Sequence, residues 1–347
     1  MRDSIVGSKV VPTPPLLRRA LLWTLQIAVV GVICWLLFRT VNSERLIAAL
    51  RGIDLAILLI ATLPMVIERL LRPCRLAILL GAPARLYQVI SAQNVSQLIN
   101  LVLPFRSGEM LLVLMLRGLN IAAGSRAISI VLLDRLFDVV FVLVIFIGAI
   151  IALRSFPATL VIGAVLLGVI CLVTIAGIAA LLHAKTKVVA FLNWFLTRTL
   201  GQTGTQWTVR IEGVIDGFAV ILEPRPLIFA SIITIVSWCL ATVGVWLVLL
   251  AIWPIAPLAA AVLTVCLTVI GVTLISVPAG IGVFHAAFAI AAMSFGAPQE
   301  VGIAFGVVGH FLMISINTLM GLIGMRVVKR AGISSVLPWG LTAARQA

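Results

Sequence analysis

Residues 86–120 read LYQVISAQNVSQLINLVLPFRSGEMLLVLMLRGLN. The stretch is longer than the ~20 apolar residues a membrane-spanning helix needs, yet Leu103-Pro104-Phe105-Arg106-Ser107-Gly108-Glu109 interrupts it. Proline disrupts a helix interior, and Gly108 is expected to permit an unusual backbone turn. The reading is two half-helices meeting at a break, as a re-entrant hairpin or a broken pair. Residues 258–295, LAAAVLTVCLTVIGVTLISVPAGIGVFHAAFAIAAMSF, repeat the pattern around Val277-Pro278-Ala279-Gly280-Ile281-Gly282. Both breaks contain Pro-x-x-x-Gly (Pro104 to Gly108, Pro278 to Gly282). Each leads past a small-residue turn into a long helix with polar groups, Asp134 and Asp138 in one, His310 and Asn317 in the other. Non-helical backbone at membrane depth survives only inside protein or along a cavity, so the breaks mark the interior, and their likeness suggests an internal repeat.

Working outward, the 347 residues are 63% hydrophobic and 10% charged, with mean hydropathy +1.26. A soluble domain carries about 25% charged residues, so a soluble enzyme, a disordered chain and a nucleic-acid-binding domain are excluded as whole-chain readings. Six further stretches are long and apolar enough to span: 21–38, 53–71, 127–153, 157–182, 227–252 and 301–327. With the N-terminus cytoplasmic and both broken pairs returning to the side they left, 19 of the 25 Lys and Arg fall on the cytoplasmic side. Arg39, Arg45, Arg51 and Arg154 fall outside, and Arg106 and Arg135 lie within the membrane. That bias sets the orientation as N-in, C-in. An odd number of spans separates the two broken pairs, so they enter from opposite sides, the arrangement of inverted repeats in secondary transporters. The expected fold is an all-α polytopic membrane protein of about six full transmembrane helices and two broken or re-entrant helix pairs in an inverted repeat. Its parts are a cytoplasmic tail (1–19), a membrane domain (20–330) and a second cytoplasmic tail (331–347). The first apolar run has no small-residue cleavage site behind it and reads as a retained helix. Within the long cytoplasmic loop, 183–225, Ile211, Val214, Ile215, Phe218, Ile221 and Leu222 recur at helical spacing opposite Glu212, Asp216 and Glu223. That is an amphipathic surface helix, with Trp194 and Trp207 as interface anchors.

Charges at membrane depth are costly and point to function. Arg106 and Glu109 sit three apart in the first break. Asp134 and Asp138 share a helix face with Arg135 beside them, and Arg106, Arg135 or a substrate is expected to offset the carboxylates. Asn94, Gln97 and Asn100 form a polar face on the approach to the break. His285 and His310 are the counterparts in the second half, open to a proton-responsive role. These ten residues are the expected substrate site, and Arg106 suits a phosphate through its two-pronged guanidinium. Glu68, Arg72 and Arg75, at one face of the end of the second span, are the expected headgroup clamp. Pro104, Gly108, Pro278, Gly280 and Gly282 are the expected helix-break residues. No HExxH, GxSxG or P-loop is present, and the missing P-loop argues against an ATP-driven pump. The five cysteines form no CxxC pair, so neither a disulfide framework, a metal site nor a cofactor is expected.

Three blocks, Asn100 to Glu109, Leu133-Asp134-Arg135-Leu136-Phe137-Asp138, and Pro278 to His285, resemble the lysylphosphatidylglycerol synthase transmembrane-region family over about 21–329. The resemblance implies a flippase-like integral membrane protein. In bifunctional members the membrane region moves aminoacylated phosphatidylglycerol made by a separate cytoplasmic domain. No such domain is expected after the last span of this chain. Asp134 stands where Glu is commoner in the family, and His285 and His310 stand where many members have Glu and Arg. The resemblance therefore carries the fold and lipid handling further than it carries the aminoacyl-lipid substrate. The expected function is translocation of a phospholipid, aminoacyl-lipid, hopanoid or glycolipid across the inner membrane, without a catalytic step. The alternatives are a membrane-embedded transferase acting on a polyprenyl phosphate and an accessory subunit of an envelope-lipid pathway. Membrane lipids with anionic headgroups are the expected partners and nucleic acid is not. A lipid-biosynthesis enzyme and a second copy of the chain stay open as protein partners.

Overall fold

The computed structural model describes residues 24, 28, 31, 32, 35, 39, 41–82, 85–103, 106–153, 158–274 and 277–331. Pro104, nearly all of both tails and most of the expected first span lie outside them. Twelve α-helices, two short 3-10 turns (Ala219–Leu222 and Pro278–Gly280) and no strands make up the ordered elements among these residues. They are α1 (Ser43–Arg51), α2 (Leu55–Leu80), α3 (Leu86–Val102), α4 (Ser107–Gly118), α5 (Gly124–Leu153), α6 (Ala158–His183), α7 (Lys185–Leu200), α8 (Gln202–Phe218), α9 (Pro224–Leu250), α10 (Leu258–Leu274), α11 (Val283–Ser294) and α12 (Gln299–Arg330). Within these helices Val161–His183, Pro224–Leu250 and Gln299–Arg330 are long and apolar enough to cross a membrane, and the bent pair α1–α2 makes a fourth if counted as one span. Large apolar side chains such as Leu59, Leu63, Leu172 and Val173 lie open on the helix surfaces, which hydrocarbon accommodates and water does not. The protein is an all-α membrane protein.

The helix ends follow from local chemistry. The Asp54 carboxylate accepts hydrogen bonds from the N–H groups of Ala56 (2.9 Å) and Ile57 (3.1 Å) and starts α2, satisfying donors that the first turn leaves open. Gly81 ends it in the left-handed region at φ 67°. The helix runs through Pro73 to Leu80 instead of stopping near Leu71. Apolar residues continue from Leu76 to Leu80 on the far side of Arg75, and burial of that segment holds the helix together.

Both expected breaks are present, and the short helices that follow them, α4 and α11, have 12 residues each. The first break turns differently from expectation. Its left-handed residue is Arg106 (φ 52°), while Gly108 is helical. Gly108 is needed for space: a Cβ there would lie 2.0 Å from the Ser96 carbonyl oxygen. In the second break Ala279 (φ 53°), Gly280 (φ 70°) and Gly282 (φ 85°) all take positive φ. The turn at Pro278–Gly280 packs against α3, and α12 packs against both α3 and α11, so the second break sits on the helix that leads into the first.

The 183–225 segment is a helical hairpin closed by the Lys185 ion pair with Asp216. The hydrogen bond to that carboxylate holds the Lys185 ammonium above the usual lysine range. Helix α8 packs on α5 rather than lying on lipid alone. Ser129 Oγ donates to the Val214 carbonyl at 2.6 Å, and Gly217 meets Ser129 closely enough that a Cβ would lie 2.6 Å away. Ile215 of the expected apolar stripe is buried, and Leu222 is exposed. Trp194 and Trp207 stay exposed, each beneath an arginine, Arg198 at 5.9 Å and Arg210 at 5.2 Å. Gly217→Leu is expected to weaken this docking by about 2 kcal/mol, raising amide exchange in α8 on the order of 30-fold. Unchanged exchange would show that α8 is held elsewhere.

Candidate functional site

Five arginines and four carboxylates form one connected ion-pair network where α2, α4 and α5 converge. Its centre is Arg75, whose side chain is 1% exposed. Arg75 Nε donates to Asp134 Oδ1 at 2.7 Å and its NH1 to Asp138 Oδ1 at 2.8 Å. It also donates to Thr234 Oγ1 (3.0 Å) and to the Asp134 carbonyl (3.1 Å). This corrects two expectations. Arg75 does not belong to a headgroup clamp or to the exposed cytoplasmic charges, and it, ahead of Arg106, neutralises the two aspartates. The continuing apolar run after Arg75 was the signal in the sequence that its helix extends inward.

Around this centre the remaining charges are shared. Arg135 reaches Asp134, Asp138 and Glu109, each at 3.4 Å. Arg72 pairs with Glu68 and lies 3.6 Å from Asp138, with its guanidinium 4.3 Å over the Trp238 ring. Arg69 lies 3.4 Å from Glu68. Among the described residues Arg106 has one ion-pair partner, Glu109 at 3.1 Å, and it is the most exposed member of the network at 39%. Its left-handed backbone costs about 1 kcal/mol for a residue with a Cβ.

A cavity of about 220 Å³ opens beside the network. One side is lined by Glu68, Arg69, Arg72, Arg106, Arg135 and Asp138, the other by Val245, Val269, Val272, Phe284, Phe288, Met313 and Ile316. Arg106 at the first break and Val272 and Phe284 flanking the second all reach it. Two lining residues, Trp238 and Thr268, carry side-chain polar atoms that are closed off from the cavity and have no hydrogen-bond partner among the described residues. The four guanidinium groups along one wall suit the cavity to oxygen acceptors.

Eight of the thirteen residues expected in the substrate site and clamp, Glu68, Arg72, Arg75, Arg106, Glu109, Asp134, Arg135 and Asp138, belong to the network. Asn94, Gln97 and Asn100 do not line the cavity. Asn94 is buried where α3 meets α12, and Asn100 Oδ1 accepts from the Gly108 N–H at 2.8 Å, tying α4 to α3. His285 and His310 also lie outside the lining and face each other with ring centres 4.8 Å apart. His310 Nε2 is 2.9 Å from the Ala279 carbonyl, and His285 Nδ1 is 3.3 Å from the Gly282 nitrogen. Both hold the second break in shape. Arg69, which the sequence places beside Glu68 and Arg72, joins the network, whereas sequence reasoning missed Thr234, Trp238 and Thr268. Trp238 sits in an apolar run like an interface anchor, and only the packing of α9 on α2 and α5 brings Trp238 and Thr234 to the charges.

A family model described as Lysylphosphatidylglycerol synthase TM region matches residues 23–321. No curated protein and no solved structure matches the chain.

Proposed function

The chain belongs to the lysylphosphatidylglycerol synthase transmembrane-region family, and from that premise we propose that it is a lipid translocase of the inner membrane, a transporter without a catalytic step. The observation that carries this reading is the two-sided cavity, cationic along α2, Arg106 and α5 and apolar along α9 to α12. A lipid headgroup sits against Arg72, Arg106 and Arg135, and the first carbons of its tails lie against the apolar side. The remainder of each tail stays in the bilayer. Arginine suits the task because its planar fork meets two phosphate oxygens at once, and its interaction strengthens where water is excluded.

The architecture in this reading is one membrane domain, 20–330, with about six full spans and both tails cytoplasmic. The equal lengths of α4 and α11 support an inverted repeat whose two breaks meet near the midplane. Rocking of one half against the other exposes the cavity to each leaflet in turn. The partners are membrane lipids, with a lipid-biosynthesis enzyme or a second copy of the chain as the protein partner.

Arg106→Gly tests the site. Glycine adopts φ 52° without cost, so the variant keeps or slightly gains stability. Losing one charge-assisted contact, about 2–3 kcal/mol, lowers translocation on the order of 30- to 150-fold. The measurement is the flipping rate of a fluorescent anionic phospholipid in reconstituted vesicles, beside the melting temperature. A fully folded variant with undiminished transport places the site elsewhere.

A further inference from the structure

The ion-pair network specifies the charge of the lipid as well as the presence of a phosphate. Every guanidinium and every carboxylate in it touches at least one other member, so the nine groups form one electrostatically connected cluster. Five cationic groups face four anionic ones, leaving one positive charge. Uncompensated charge in a medium of low dielectric is disfavoured, and the cavity offers neither a further carboxylate nor another basic residue among its lining. The group that completes it carries one negative charge.

We propose that the cavity bounded by Arg72, Arg106, Arg135 and Trp238 selects a lipid phosphodiester of net charge −1, on the grounds that a single such charge brings the network to neutrality. This rests on the translocase reading and narrows its substrate. A zwitterionic phosphodiester leaves the excess charge in place. A phosphomonoester overshoots it, and an aminoacylated lipid of net charge +1 adds to it. Trp238 and Thr268 line the same cavity and add no charge to it. Arg106 and Glu109 set the sum from adjacent turns, 3.1 Å apart. Removing either changes the preference in opposite directions, which loss of a structural ion pair does not do.

The experiment compares lipids of equal chain length on purified full-length protein in neutral detergent, by native mass spectrometry and by competition against labelled phosphatidylglycerol at pH 8. Phosphatidylglycerol (net −1) is expected to bind at least tenfold tighter than phosphatidylcholine (net 0), phosphatidic acid (near −2) and lysylphosphatidylglycerol (net +1). Inorganic phosphate and glycerophosphoglycerol are expected not to compete at a hundredfold excess, which separates a lipid site from a free-phosphate site. Arg106→Gln, which makes the network neutral, brings the phosphatidylglycerol-to-phosphatidylcholine ratio below about threefold. Glu109→Gln, which raises it to two positive charges, shifts preference toward phosphatidic acid. Equal binding of the four lipids, tighter binding of the aminoacylated one, or the same shift in both variants overturns the proposal. The translocase reading is judged separately: selective binding without flipping in vesicles removes that reading and leaves this one, while flipping without charge preference does the reverse.

Discussion

Replacing Arg75 with methionine is expected to lower the stability of the detergent-solubilised protein by about 3–5 kcal/mol, the usual cost of stranding a buried ion-pair partner. Asp134 and Asp138 are both buried, and Arg75 holds them at 2.7 and 2.8 Å. With Arg75 gone, two carboxylates face each other on one turn of α5 with Arg135 and Arg72 at 3.4–3.6 Å as their remaining counter-charges. The control is Arg75→Met combined with Asp134→Asn and Asp138→Asn. Neutral amides of the same shape need no counter-ion, so this triple variant recovers most of the loss. Thermal unfolding in detergent measures both. A single Arg75→Met variant that melts within a degree or two of the wild type would show that the aspartates are neutralised by the other arginines.

Gly108→Ala is expected to cost about 3 kcal/mol, the upper range for overpacking, although helix propensity alone would favour alanine by up to about 1 kcal/mol. The sign therefore tests the geometry. An added Cβ would stand 2.0 Å from the Ser96 oxygen and 2.7 Å from Asn100 Oδ1, and a backbone oxygen in the middle of α3 cannot swing aside. The start of α4 must move outward, carrying Arg106 and Glu109 with it. Thermal unfolding and lipid flipping should fall together. An alanine variant with raised melting temperature would mean that α4 does not approach α3 so closely.

The breaks were legible because proline and glycine act on the backbone locally. Pro278, Gly280 and Gly282 announce a turn whatever surrounds them, and the matching Pro-x-x-x-Gly spacing located both breaks. What the spacing could not say was which residue turns. Gly108 looks like a turning residue in one dimension, and only its closeness to Ser96 shows that it serves as a space-maker while Arg106 takes the left-handed position. The polar face of Asn94, Gln97 and Asn100 was equally ambiguous. A buried amide reads alike whether it lines a cavity or ties one helix to the next, and here Asn100 does the latter.

Composition and hydrophobic run length by themselves determined that this is a helical membrane protein with two interrupted segments, because the bilayer forces each apolar run to satisfy its backbone within a helix. They also singled out Arg106, Glu109, Asp134, Arg135 and Asp138, because charge within such runs is rare. Only the tertiary structure decided that Arg75 is the counter-ion of the aspartates, 59 and 63 residues away in sequence. It also brought Trp238 beneath Arg72 and made nine scattered charges a single network with one positive charge left over. Pairing between distant helices is set by how their faces pack, and that information lies in no local window of the chain.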